Sequence, residues 1–275
     1  MKQSERKKVQ SILENIRKQH NILESLPEKE VFALLEENQG TIIELGNYVE
    51  QNMGQTAPFI RMLEEYCELV YQVFQSMKKN NRLQAAVENE RAGKKLEQAE
   101  DYYVKHLLYR KYEILFLPYK AAMWDSMESI YLAAVQNSKC RVSVMPVPYY
   151  LLEDGKKTAV YEGNRFPEGL PIVDAYQYKL KEERPDVIFI HNPYDGYNRV
   201  TRVEEQFYSS ELIKYTSHLC YVPYDVVNEN SFNETYCIVP GVRNAWKIFV
   251  QSEKLREIYA KYVGADKVVA LGSPK

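Results

Sequence analysis

Long apolar runs are missing from this sequence, and no stretch approaches the 18 residues that a membrane-spanning helix needs. The start, MKQSERKKVQ, leads into an amphipathic pattern and lacks the apolar core of a signal peptide. Cysteine is scarce: Cys67, Cys140, Cys220 and Cys237 include no CxxC pair, and all lie in apolar stretches. Buried, reduced thiols of a cytosolic protein are therefore expected, rather than a disulfide framework or a zinc site. An excess of one charge is missing too. Net charge is -2, with 16 basic against 17 acidic residues up to position 110 and 20 against 21 beyond it. No basic stripe exists to track a phosphate backbone, so nucleic acid is not an expected partner. GxGxxG, HExxH and GxSxG are all absent, which removes the fingerprints of dinucleotide binding, zinc proteolysis and serine hydrolysis. No cofactor or metal is expected. DGKKT (154–158) looks like part of a phosphate-binding loop, but Tyr150 stands where its first glycine belongs. The stretch reads better as a hairpin tip.

What is present is a globular composition, 45% apolar and 27% charged over 275 residues, enough for two domains. Residues 1–110 are helical in pattern. Phe59, Leu63, Tyr66, Val70, Phe74 and Met77 fall three or four apart and so share one helix face. Thr56 reads as the N-cap, with Pro58 tolerated in the first turn. Ile12, Leu13, Ile16, Leu23 and Leu26 mark an earlier helix ending near Pro27, and Gly40, Gly46 and Gly54 punctuate the region between. Residues 82–106 are long, charged and weakly apolar, as in a solvent-lapped helix of a hairpin or coiled coil. A helical hairpin or bundle over 1–110 is expected.

From 111 to 275 the pattern alternates. EILFLPY (113–119), CRVSVMPV (140–147), DVIFI (186–190), HLCYV (218–222), WKIFV (246–250) and KVVAL (267–271) are short apolar runs. Helical periodicity covers 123–135 and SEKLREIYAKYV, where Ser252 is the cap. Such runs alternating with helices predict a parallel sheet covered on both faces, a Rossmann-like doubly wound α/β fold.

Four prolines are followed directly by tyrosine: Pro118-Tyr119, Pro148-Tyr149, Pro193-Tyr194 and Pro223-Tyr224. Each pair stands just past one of the first four predicted strands. Proline ends a strand because it cannot donate to the ladder and holds its predecessor extended. The tyrosines need another reason. Ligands of open parallel sheets bind beyond the carboxyl ends of the strands. There these four rings, with Tyr150, Tyr197 and Trp124, would form an aromatic wall with hydroxyl tips, suited to sugars and polyols. The stretch IFIHNPYDGYNRVT (188–201) leaves the third strand at that edge. His191 is the candidate proton acceptor or phosphate donor, Asp195 the candidate to orient it, and Asn192 a neighbouring polar contact. Lys120 and Arg199 are candidates for an anionic group. Asp125 and Ser126 lie in the first turn of the next helix, near a positive helix end. His218 precedes the fourth strand and should lie at the opposite edge.

The stretches LPYKAAMWDS, MPVPYY, YEGNRFP, PDVIFIHNPYDGYN, YVPYD and WKIFVQSEKLREIYAKYVGADKVVALGSPK carry a family resemblance. From about residue 113 onward the chain resembles the CDP-glycerol glycerophosphotransferases of teichoic-acid synthesis. That resemblance implies the N-terminal, acceptor-side half of a GT-B transferase, with a C-terminal donor-binding domain expected beyond Gly272-Ser273-Pro274-Lys275. It also implies a cell-envelope polyol phosphate or glycan as acceptor, a cytoplasmic place at the inner membrane face with peripheral membrane association, and inactivity without the donor domain. Typical members carry W-H-G-[TS]-P-x-K after the fourth strand, where this chain reads Tyr221-Val222-Pro223-Tyr224-Asp225. His191 is then the candidate to replace the missing histidine. A second reading is a non-catalytic interaction protein, in which the helical region self-associates into homo-oligomers and the α/β region keeps only a binding cleft.

Overall fold

The computed structural model describes Met1, residues 3–153 and residues 155–273. Asp154 of the expected hairpin tip and Pro274 and Lys275 of the expected domain-entry turn lie outside the described residues. The chain divides into two compact units, Met1–Arg110 and Lys111–Lys275.

Among the described residues, the first unit has four α-helices: α1 (Gln3–Asn21), α2 (Glu28–Asn52), α3 (Ala57–Lys78) and α4 (Arg82–Tyr102), followed by a π-helical turn at Tyr103–Leu108. The face of α3 that begins Phe59, Leu63, Tyr66, Val70 is buried, then drifts to Val73 and Ser76. Phe74 and Met77 are only partly buried, packed at the edge of the core. Thr56 holds the N-cap position but makes no capping hydrogen bond, with Pro58 in the first turn.

The larger departure is α2. Gly40 and Gly46 do not punctuate it; they lie inside a continuous helix of 25 residues. Each glycine weakens a helix interior by about 1 kcal/mol relative to alanine. Burial of Leu35, Ile42, Leu45 and Val49 along one face offsets that. The charged stretch after Arg82 forms a hairpin with α3. Its buried positions are Ala85, Glu88, Ala92, Leu96 and Ala99, so the seam is mostly alanine and hence faint in the sequence. Glu88 enters it by accepting from Ser76 Oγ at 2.7 Å.

The second unit contains β1 (Tyr112–Leu117), α5 (Asp125–Gln136), β2 (Cys140–Val144), β3 (Tyr149–Glu153), β4 (Lys156–Val160), α6 (Leu180–Glu183), β5 (Val187–Ile190), β6 (Thr201–Val203), α7 (Ser209–Leu212), β7 (Leu219–Tyr221), α8 (Pro240–Asn244), β8 (Lys247–Val250), α9 (Glu253–Val263) and β9 (Val268–Ala270). Six strands form one sheet in the order β2-β1-β5-β7-β8-β9, and every pairing in it is parallel. Along β1, Leu115 and Leu117 enter one core while Phe116 enters the other, and Ile188, Ile190 and Phe189 repeat this on β5. Both faces are therefore dry, which is why each strand reads as an unbroken apolar run. Ser252 caps α9, its Oγ accepting from the Leu255 amide at 3.2 Å.

Two features differ from the expected alternation. Among the described residues, α5 and α9 are the full crossover helices; α6, α7 and α8 have four or five residues each. A second, antiparallel sheet, β4-β3-β6, is inserted between β2 and β7. The expected hairpin is its β3-β4 pair, and β6 is the return of the segment that begins at His191. Strand β2 stops at Val144, although the Met145 and Val147 amides still donate to Phe116 and Pro118 carbonyls at 2.8 Å. Among the described residues no helix is long and apolar enough to cross a membrane.

Candidate functional site

Counted within the large sheet, the strand order reverses once, between β1 and β5. At such a switch point the chain leaves adjacent strands in opposite directions and a crevice opens beyond their carboxyl ends. A cleft of 880 Å³ lies there. It is walled by Tyr119 after β1, Tyr194 and Tyr197 after β5, Tyr224 after β7, and by Tyr236 and Arg243 from the crossover into β8. Lys120 is the second cation of the wall, and none of the described lining residues is Asp, Glu or His. The Tyr194 hydroxyl is hydrogen-bonded to that of Tyr224, and the Tyr119 hydroxyl to Thr201. Burial pushes the Tyr119 phenol up to about 12 despite the Thr201 bond. Burial raises Tyr194 and Tyr224 as well. The wall therefore offers neutral hydroxyls and two positive charges, a surface complementary to an anionic, hydroxyl-rich ligand.

His191 stands behind this wall, not in it. Its ring lies edge-on to Tyr119 at 5.3 Å and near Tyr224 at 6.1 Å, yet it is 0% exposed. Nε2 accepts the Tyr119 backbone amide at 3.1 Å. The ring proton must then sit on Nδ1, which faces Ser126 Oγ at 3.3 Å, while that hydroxyl donates to the Met123 carbonyl at 2.8 Å. Burial depresses the imidazole to about 3, outweighing the Met123 carbonyl and the Asp125 charge, which act the other way. As placed here, the expected general base does not reach the cleft: both nitrogens are engaged and the buried ring acts as a clamp between β1, β5 and the entry to α5.

Asp195 does not orient His191. It is buried with a left-handed backbone, φ 47. Its carboxylate accepts from the Ser209 amide at 2.8 Å and the Ser209 hydroxyl at 2.7 Å, holding the start of α7. Burial raises its pKa against the Ser209 and Ser210 hydrogen bonds.

The other expected contacts divide. Tyr119, Lys120, Tyr194, Tyr197 and Tyr224 line the cleft. Trp124 is 3% exposed and packs against Phe116, Tyr131 and Phe166 in the core of the opposite sheet face. Asp125 is exposed in the first turn of α5 and Arg199 is exposed on the loop before β6; neither lines the cleft. Tyr149 begins β3 instead of ending a parallel strand, and is buried beneath the wall with its ring on Tyr119 at 5.3 Å. Strand alternation turns Tyr150 to the other face, under Lys157 Nζ at 5.7 Å. Asn192 is 8% exposed, its Oδ1 accepting from the Tyr194 amide at 3.4 Å. His218 lies at the amino edge, as expected, with Nδ1 on the Asp186 carbonyl at 3.0 Å and its ring against Trp246.

No family model, curated protein or solved structure matches this chain. The site therefore rests on its own geometry. Arg243 and Tyr236 escaped the sequence reading because they lie in a long crossover without periodicity. The mark that could have found them is Pro240-Gly241. A side chain at Gly241 would put Cβ 2.5 Å from the Pro193 Cα, and the Gly241 amide donates to the Pro193 carbonyl at 2.7 Å. This contact joins α8 to the His191 loop and so brings Arg243 to the cleft.

Proposed function

We propose that the Lys111–Lys275 unit binds a polyol phosphate or phosphorylated glycan in this cleft, as the acceptor-side half of a GT-B-type, CDP-glycerol glycerophosphotransferase-like enzyme. The observation that carries the reading is the lining: five tyrosines and two cations with no carboxylate, at the switch point of a parallel sheet. Rings cover C–H faces, phenols meet hydroxyls, and Lys120 and Arg243 take the phosphate. The resemblance of the Pro-Tyr segments to that family points the same way. Transfer also requires a base near the acceptor hydroxyl, and the described lining holds no Asp, Glu or His, so that base and the donor-binding site would come from residues outside this lining. Calorimetry on the full chain with glycerol 3-phosphate and with glycerol tests the reading. The phosphate ester should bind at least about tenfold tighter, and the Lys120→Ala/Arg243→Ala variant should remove that difference. Equal affinities would overturn it.

The locked His191 favours a second reading, a binding module that carries out no transfer. Because the acceptor-side half is expected to be inactive alone, turnover of a CDP-linked polyol donor with a polyol phosphate acceptor separates the two only with a donor-binding half supplied: the enzyme then releases CMP, and a module binds the acceptor and releases none.

A further inference from the structure

Glu162, in the loop after β4, is a buried carboxylate, 8% exposed. It is held at two points. Oε1 accepts from the Tyr149 hydroxyl at 2.6 Å, and Oε2 accepts from the Ala121 amide at 3.0 Å. Both points belong to the surroundings of one side chain. Ala121 is the residue after Lys120, so its amide fixes the peptide that launches the lysine stem. Tyr149 supplies one of two rings over which the Lys120 ammonium lies, 5.7 Å from its centroid and 5.6 Å from that of Tyr119. Those two rings meet edge to face at 5.3 Å, giving the ammonium a rigid aromatic corner. Burial alone would raise the Glu162 pKa. The bonds from Tyr149 and Ala121 and the charges of Arg165 and Lys120 more than reverse that, so Glu162 stays ionised behind the wall.

We propose that Glu162 is a positioning residue for Lys120: by fixing the Lys120-Ala121 peptide and the Tyr149 ring, it sets the ammonium at the cleft wall before any ligand arrives. The proposal rests on the reading that the cleft takes an anionic group. A lysine stem ordinarily samples many rotamers, and an anion that must order it binds more weakly than one that finds it in place. A carboxylate behind the rings also helps to hold a cation against this buried aromatic pair. Glu162 itself does not line the cleft.

The test is lysine side-chain NMR on the full chain, with Lys120 assigned through Lys120→Arg. Without ligand, the ε-methylene protons of Lys120 should be shifted upfield by the Tyr119 and Tyr149 ring currents. Glu162→Gln should return them at least halfway to the positions of the exposed lysines. Tyr149→Phe, which keeps the ring and removes its bond to Glu162, should return them partway. Inorganic phosphate should then bind about threefold to tenfold more weakly to both variants than to the wild type. Unchanged Lys120 signals in a folded Tyr149→Phe protein would overturn the positioning role, and that variant suffices if Glu162→Gln does not fold. Unchanged or tighter phosphate binding in variants whose Lys120 has moved would also overturn it. If the Lys120 signals behave as stated but the wild type does not bind phosphate, the positioning stands and the anion reading of the cleft falls.

Discussion

Replacing His191 by glutamine should change how stability depends on pH more than it changes stability at neutral pH. In the folded chain the imidazole is held near 3 by burial, against an ordinary value of 6.5. Between those values the unfolded chain takes up a proton at this site and the folded chain does not. Stability from this group is therefore fully present above 6.5 and is lost as pH falls, at roughly 1.4 kcal/mol per pH unit. From pH 7.5 to pH 5 the loss should be about 2 kcal/mol, a large share of the stability of an ordinary domain.

Urea unfolding followed by tryptophan fluorescence reads this directly, because Trp124 and Trp246 both lie in the α/β unit. The buried His20, whose pKa burial also lowers, is present in both proteins and cancels in their difference. Carboxylates titrate in both proteins, so the wild-type loss minus the His191→Gln loss isolates the imidazole. The variant should lose about 2 kcal/mol less than the wild type over that interval. Equal losses would mean that His191 takes up its proton as freely folded as unfolded. The clamp argument would then fail, and His191 would be available as a base again.

Other consequences can be measured as simply. Gly241→Ala drives a Cβ into the Pro193 backbone at 2.5 Å and should destabilise the α/β unit by about 2 kcal/mol or more, read in the same denaturation. Asp195→Ala strands the Ser209 donors and should cost about 1–3 kcal/mol, leaving Ser252→Ala, the loss of an ordinary cap, as the milder control near 1 kcal/mol. Limited proteolysis should cut within 106–113 or inside the helical unit first, leaving a resistant fragment that contains 186–250. A resistant fragment that holds 60–110 and lacks 186–250 would contradict the two-unit division.

What could be read from the sequence follows from the range of the forces involved. The parallel strands announce themselves because dry faces on both sides demand apolar residues in succession, as in VIFI of β5. The α3 face is equally plain, since large side chains fall at helical spacing. Helix α2 hid behind its glycines, and α4 behind a seam of alanines. The β4-β3-β6 sheet was half visible, because β6 is three residues long and has no period to detect. At the site, the positions of Tyr119, Tyr194 and Tyr224 followed from strand topology alone. The role of His191 did not, because its decisive partner is a backbone amide 72 residues away, and an amide leaves no mark in a sequence.

The run after β5 is densely polar, and its contacts account for it. His191 takes the Tyr119 amide, and Asp195 takes both donors of Ser209. Asn198 Oδ1 accepts from the Val200 and Thr201 amides at 2.9 and 3.1 Å, which turns the chain into β6. All but the Ser209 hydroxyl bond satisfy a backbone amide at a strand or helix end. Their joint effect is to fix a single path for the chain past the switch point, so that Tyr194 and Tyr197 reach the cleft from a rigid loop. The clamp therefore serves the site without entering it. A histidine free to collect a proton there would release the Tyr119 amide, and with it the first ring of the wall and the lysine that follows. This chain can have His191 as a base or as the fastening of its own binding surface, and its hydrogen bonds in this structure favour the fastening.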